Sequence, residues 1–224
     1  GLQFSVTGYS VVPGSSSPNL SLTGASAVDN TITVPSGTAT VSAKVTGSAG
    51  LTKVGAGTLV LSGTGNTYGG GTMLNVGILQ IADLGSLGSG NVTFGGGTLQ
   101  YPPGSGTSAL DVSSKSPTVA SGQAAKIDTD GYDVTFGTAI GGQGGMTKLG
   151  SGSLTLAVAN TYIGPTTVSA GTLNVSSASG TIATLNVPAG GTVNLGAGSV
   201  VTALNITGGT LQLTVTNTGQ VLNT

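Results

Sequence analysis

Histidine, cysteine, tryptophan, arginine and glutamate are all missing from this 224-residue chain. Without His or Cys, neither the Ser-His-Asp and Cys-His nucleophile systems nor the common zinc ligand sets can be assembled from its own residues. Charge is equally scarce. Five Lys and six Asp make 5% of the chain and a net charge of −1, whereas ordinary globular chains carry about 25% charged residues. That balance, with no Arg, argues against a nucleic-acid groove. No apolar run approaches the roughly 18 residues that cross a bilayer as a helix, so no membrane span is expected. No basic start followed by an apolar stretch reads as a secretory signal, and a chain starting at Gly1 reads as a processed product or an excised fragment. The absence of Cys settles no compartment.

What is present is apolar enough to fold. Hydrophobic residues make up 37% of the chain and mean hydropathy is +0.34, while disorder goes with low hydrophobicity and high net charge. With 42 glycines, internal repeats are the first thing to seek. The phrase Gly-Thr-Leu-x-Leu recurs at Gly57 (GTLVL), Gly77 (GILQI), Gly97 (GTLQY), Gly171 (GTLNV), Gly191 (GTVNL) and Gly209 (GTLQL). Weaker copies begin at Pro18, Gly37, Pro117, Gly137 and Gly152. Nine of the ten steps are 18 to 20 residues and one, from Gly137 to Gly152, is 15. A second hydrophobic mark keeps pace three residues before the Gly, at Val34, Val54, Leu74, Phe94, Val134, Leu149, Val168 and Ile206.

Inside each copy the pattern has period two, the signature of a strand. Leu59 and Leu61, Leu79 and Ile81, Leu173 and Val175, and Leu211 and Leu213 point to one side. Strands so short and so close leave no room for crossover helices, which need a dozen or more residues of their own. The expected fold is therefore all-β: a parallel β-helix of about eleven coils of 18–20 residues, with Gly, Asn, Ser and Pro at the corners. At the interstrand spacing it would be a rod roughly 50 Å long. An antiparallel sandwich is the alternative, but it does not explain one fixed interval. The expected division is an N-terminal strand segment, 1–16, followed by the β-helix, 17–224.

Two copies agree at length. Residues 51–81 read LTKVGAGTLVLSGTGNTYGGGTMLNVGILQI and residues 146–175 read MTKLGSGSLTLAVANTYIGPTTVSAGTLNV. One gap opposite Gly65 aligns Lys53 with Lys148, Gly57 with Gly152, Asn66-Thr67-Tyr68 with Asn160-Thr161-Tyr162, and Gly77 with Gly171. These blocks closely resemble the autotransporter-associated β-strand repeat, also called the passenger-associated transport repeat. The resemblance implies a right-handed parallel β-helix displayed outside a bacterium, with a structural and export role and no catalytic residues. The chain departs from a full autotransporter in lacking a C-terminal translocator barrel and an aromatic terminal strand.

Few residues offer chemistry. Asp128, Asp130 and Asp133, spaced around Gly131, could converge on calcium as a cofactor or be a solvated corner. Asp130 and Asp133 could be close enough for inverting glycoside chemistry, but no Arg, His or aromatic cleft accompanies them, and the chain is not expected to be an enzyme. Lys53 and Lys148 hold equivalent repeat positions, which favours a structural role at a coil corner over a nucleophile. The outward row Thr38, Thr58, Thr98, Thr118, Thr138, Ser153, Thr172, Thr192 and Thr210 suits either an ice-binding face or plain strand propensity. Its neighbours Gln80, Gln100, Asn174 and Asn194 can form amide ladders. Neither end shows a helix or a charge cluster as a cap. The alternating segment Leu2, Phe4, Val6 could complete a terminal coil or add as a strand to a neighbouring molecule. The expected function is an extracellular structural solenoid, a building block of a bacterial surface fibre. It would stack on itself head to tail through Leu2, Phe4 and Val6 at one end and Leu211, Leu213 and Leu222 at the other. The alternative is a passenger fragment, a stalk or adhesin that meets a host or a surface polysaccharide.

Overall fold

A computed structural model of the protein describes residues 2–3, 8–12, 19–24, 30–104, 106–108, 110–176 and 181–213. The chain forms two compact units, residues 1–102 and 103–224. The described strands of the N-terminal segment 1–16 stack on the chain's own next coil, Leu2 beside Ile32 and Tyr9 beside Ala39.

Among the described residues, every pairing between strands within either unit is parallel. In the first unit one wall stacks Leu2–Gln3, Thr31–Thr33, Leu51–Val54, Thr72–Leu74 and Val92–Phe94. A second wall stacks Tyr9–Val11, Thr38–Val41, Thr58–Leu61, Ile78–Ile81 and Thr98–Gln100. A short third wall joins Leu20–Ser21 to Val45–Thr46. Register is exact in residue type: Ala39, Leu59, Leu79 and Leu99 lie side by side, as do Val41, Leu61 and Ile81. All of them are buried. The period-two pattern therefore buries one aliphatic column per inward position, and each coil's column closes on the next.

In the second unit one wall stacks Gly106–Ser108, Tyr132–Phe136, Ser153–Leu156, Gly171–Val175, Gly191–Leu195 and Thr210–Leu213. Another stacks Ala124–Asp128, Gly145–Leu149, Thr166–Val168, Thr181–Pro188 and Val200–Thr207. Thr118–Val119 pairs with Gly141–Gly142 on a third. The helical content among the described residues is two single 3₁₀ turns, Leu84–Leu87 and Val112–Lys115, each begun by a capping Asp.

The fold class is the expected parallel β-solenoid, but it has about nine turns in place of eleven. Three weak copies of the repeated phrase are not where the spacing put them. Leu20–Ser21, from the copy at Pro18, and Thr118–Val119, from the copy at Pro117, stand on other walls of their coils. The copy at Gly137 forms no strand. Its place is taken by Tyr132–Phe136, with Val134 beside Leu154, so the apparent 15-residue coil disappears. The second hydrophobic mark slips as well. Lys53, and not Val54, shares a column with Ile32 and Leu74; Lys148, and not Leu149, sits between Ile127 and Val168.

Candidate functional site

The two lysines are the least expected part of the interior. Each occupies a core column position and has no exposed surface. Its aliphatic stem packs with the aliphatic stack, and its ammonium reaches the corner that follows. Lys53 Nζ donates to the carbonyls of Val54 (2.9 Å), Gly55 (2.7 Å) and Val76 (3.1 Å). Lys148 Nζ repeats the pattern with Leu149 (2.6 Å), Gly150 (2.8 Å) and Ala170 (3.4 Å). Three donors thus meet three carbonyls, two from the lysine's own corner and one from the next coil. Burial pushes both ammonium groups down to about 8; for Lys148 the charges of Asp128 and Asp133 act in the opposite direction.

The glycines of the motif follow from this corner. Gly77 has φ +74° and Gly171 φ +65°. A Cβ on either would stand 2.8 Å from the lysine Nζ and collide with a backbone carbonyl, that of Gly55 or of Gly152. Only glycine satisfies both demands.

The Asn-Thr-Tyr phrase is a second interior device. Asn66 accepts from the Val45 N–H (2.8 Å) and donates to the Ser86 carbonyl (2.9 Å), tying its coil to the ones on both sides. Tyr68 OH meets Thr72 Oγ1 at 2.6 Å and donates to Ser86 O at 3.3 Å, while Thr72 Oγ1 donates to Leu87 O. In the second copy Asn160 accepts from Ile140 N–H at 2.8 Å, and Tyr162 OH meets Thr166 Oγ1 at 2.6 Å. Burial raises the phenol of Tyr162 to about 12 and that of Tyr68 further above its usual range. The asparagines and tyrosines of the two copies align in sequence without an evident role; their strict spacing to Thr72 and Thr166 is the signal that reveals one.

Asp128 and Asp133 accept hydrogen bonds from neighbouring residues. Asp128 Oδ1 accepts from the Asp130 N–H (3.1 Å), and Asp133 Oδ1 accepts from both the N–H (2.9 Å) and hydroxyl (2.8 Å) of Ser153. Asp130 has φ +45° in the turn closed by Tyr132 N–H to Thr129 O. Among the described residues no group of three His, Cys, Asp or Glu could hold a metal.

The outward threonine row breaks in two. Thr38, Thr58 and Thr98 are in register with Ile78 between them, and Ser153, Thr172, Thr192 and Thr210 are in register in the second unit. Thr118 stands on another wall, and Thr138 bonds Ser113 from a loop. The neighbouring amides do form ladders: Gln80 to Gln100 (3.2 Å), Asn194 to Asn174 (2.7 Å) and Asn205 to Asn186 (2.9 Å). Of the residues expected at a polymer interface, Leu2, Leu211 and Leu213 are half-buried; Phe4, Val6 and Leu222 lie outside the described residues.

Two segments of the chain, 51–81 and 146–175, match the passenger-associated-transport-repeat family. These are the segments that carry the lysine corner and the Asn-Thr-Tyr device. The chain carries the passenger-associated transport repeat. Over 135 residues it is 39% identical to a protein of Brucella suis biovar 1 (strain 1330) named "Adhesin BmaC autotransporter". The aligned part takes in 54% of this chain and spans only 4% of that relative's length. No solved structure gives a significant match. In structural terms the repeat is thus a recipe for one corner: a lysine that plugs the end of a core column, and a glycine that lets the next coil close over it.

Proposed function

We propose that this chain is a length of shaft in a surface-displayed passenger, a β-solenoid that holds distance between a bacterial cell and whatever the passenger's tip meets. The observation that carries the reading is the repeated lysine corner, in which the motif's polar groups are turned inward onto backbone carbonyls and are spent on closing coils. The likeness to a small part of a long autotransporter adhesin supports it, and with it a position outside the cell. The reading assigns no catalysis, because Asp133 is engaged by Ser153 and Asp128 by its own turn. Head-to-tail assembly is a second reading, favoured by Leu211 and Leu213, which remain half-exposed on the last described strand of their wall. Sedimentation of the purified 21.2 kDa chain decides between them. A monomer at every concentration is the result expected of a shaft. Open-ended polymers that dissolve on Leu211→Lys with Leu213→Lys would overturn it and make the chain a self-assembling subunit.

A further inference from the structure

A groove of about 760 Å³ runs along the first unit. Its lining comes from four successive coils, around Asn30, residues 48–52, residues 69–73 and residues 90–93. At the interstrand spacing that is about 15 Å along the axis. Two observations separate it from an accidental furrow between coils.

The first is that one of its glycines is not needed for the fold. Gly70 and its counterpart in the second repeat, Gly164, are both forced: a Cβ on either would run into the backbone of the coil beneath. Gly69 is different. Its φ lies outside the left-handed region, and a Cβ there would meet only Ser48 O at 3.6 Å and Ser89 Oγ at 3.9 Å, ordinary contact distances. The second repeat has Ile163 at this place, 60% exposed, with the same kind of backbone bond to the coil beneath (Ile163 N to Gly142 O; Gly69 N to Gly47 O). The first repeat therefore omits a side chain that the fold accepts, and the omission opens the groove.

The second is a hydroxyl that a nearly buried residue presents to the groove. Thr52 is on the outward row with Thr31 and Met73, yet it is only 8% exposed and lines the groove. Its backbone N–H is bonded to Asn30 O, but its hydroxyl has no partner among the described residues. Ser48 and Asn91, which also line the groove, likewise keep their side-chain polar groups free. A hydroxyl fixed by a nearly buried residue and open to the groove is a placed donor and acceptor for a ligand.

The chemistry of the lining selects the ligand. It holds hydroxyl and amide side chains, the thioether of Met73 and bare glycine backbone, and no charged residue. An anionic ligand would find no counter-charge. A peptide strand would need free backbone groups to pair with, and these are already taken: Leu51 N bonds Gly71 O, Gly70 N bonds Ala49 O and Thr72 N bonds Asn91 O. Sugar hydroxyls are donors and acceptors at once and fit such a wall. We infer that this groove binds an uncharged oligosaccharide lying along the solenoid axis, with Thr52, Ser48 and Asn91 as its polar contacts. The inference does not depend on the shaft reading, since a shaft can be bare or can hold a glycan along its side.

The test is titration of the isotope-labelled full chain, followed by amide shifts and calorimetry. The probes are neutral tetrasaccharides of glucose, galactose and N-acetylglucosamine, with a heparin tetrasaccharide and an uncharged extended peptide as comparisons. A neutral sugar is expected to bind tighter than about 1 mM, to shift residues 48–52, 69–73 and 90–93, and to be indifferent to salt. Thr52→Val should weaken it about tenfold. Gly69→Ile should abolish it while leaving the melting temperature unchanged. Gly69→Ala, a smaller intrusion, should fall between the two and guards against misfolding of the larger variant. The inference is overturned if no neutral sugar binds at millimolar concentration, if binding survives Gly69→Ile, or if only heparin or the peptide binds.

Discussion

Raising the pH from 8 to 10 should make this protein more stable, and the two buried lysines are the reason. An unfolded lysine titrates near 10.5, whereas burial brings Lys53 and Lys148 down to about 8 in the folded chain. Below pH 8 the ammonium is charged in both states, and folding bears the full cost of burying it. Between 8 and 10.5 the unfolded chain binds more protons than the folded one, so stability rises with pH. A shift of this size is worth about 3 kcal/mol per lysine over the whole window. Two effects reduce the gain. The neutral amine has two N–H groups for three carbonyls, and the window is cut short at pH 10, where tyrosine ionisation begins in the unfolded chain. About 2 kcal/mol per lysine remains. Above pH 10 the trend reverses, because Tyr162 and Tyr68 are held protonated in the fold, Tyr162 up to about 12, and the stability they contribute is lost as pH climbs. Urea unfolding followed by circular dichroism at pH 7, 8, 9 and 10 would read this directly. The wild type should rise, and a chain carrying Lys53→Met and Lys148→Met should be flat from 8 to 10. A flat or falling wild-type curve, or a rise that persists in the double variant, would refute the account of the corner.

Two further substitutions probe the repeat. Gly77→Ala forces a side chain into a positive-φ position against the Gly55 carbonyl and Lys53 Nζ, and should cost about 2–4 kcal/mol by urea unfolding; loss below about 1 kcal/mol would mean that the corner can yield. Tyr162→Phe should cost more than Tyr68→Phe, by differential scanning calorimetry, since buried Thr166 bonds only Tyr162 among the described residues while Thr72 keeps Leu87 O. Each loss should be about 1–3 kcal/mol, and equal losses would contradict the assignment.

Much of the fold was legible because the solenoid repeats its physics at each turn. Leu59, Leu79 and Leu99 announce a column by type and interval, and the column is there. The failures share a cause. The weak copies at Pro117 and Gly137 spell the phrase without occupying its wall, while Tyr132–Phe136 occupies the wall under a different spelling. A repeated phrase reports a strand, but which wall that strand joins depends on how many residues the intervening corners consume. Lys53 shows a second limit. Hydropathy alone puts a lysine outside, and only the geometry of three convergent carbonyls explains its place in the core. The groove was invisible for the opposite reason: Gly69 and Gly70 are the same letter, and their difference lies in what surrounds them.

The pairing of each strand with the equivalent strand about one turn away along the chain has a kinetic consequence. Every partner, from Thr38 beside Thr58 to Thr192 beside Thr210, lies within a short stretch of polypeptide, so no distant loop must be closed before the first ordered coil appears. A finished turn offers the next a ready edge to condense on. Material delivered end first through a narrow opening could therefore solidify on arrival, one layer after another, and each layer set would make backward slippage harder.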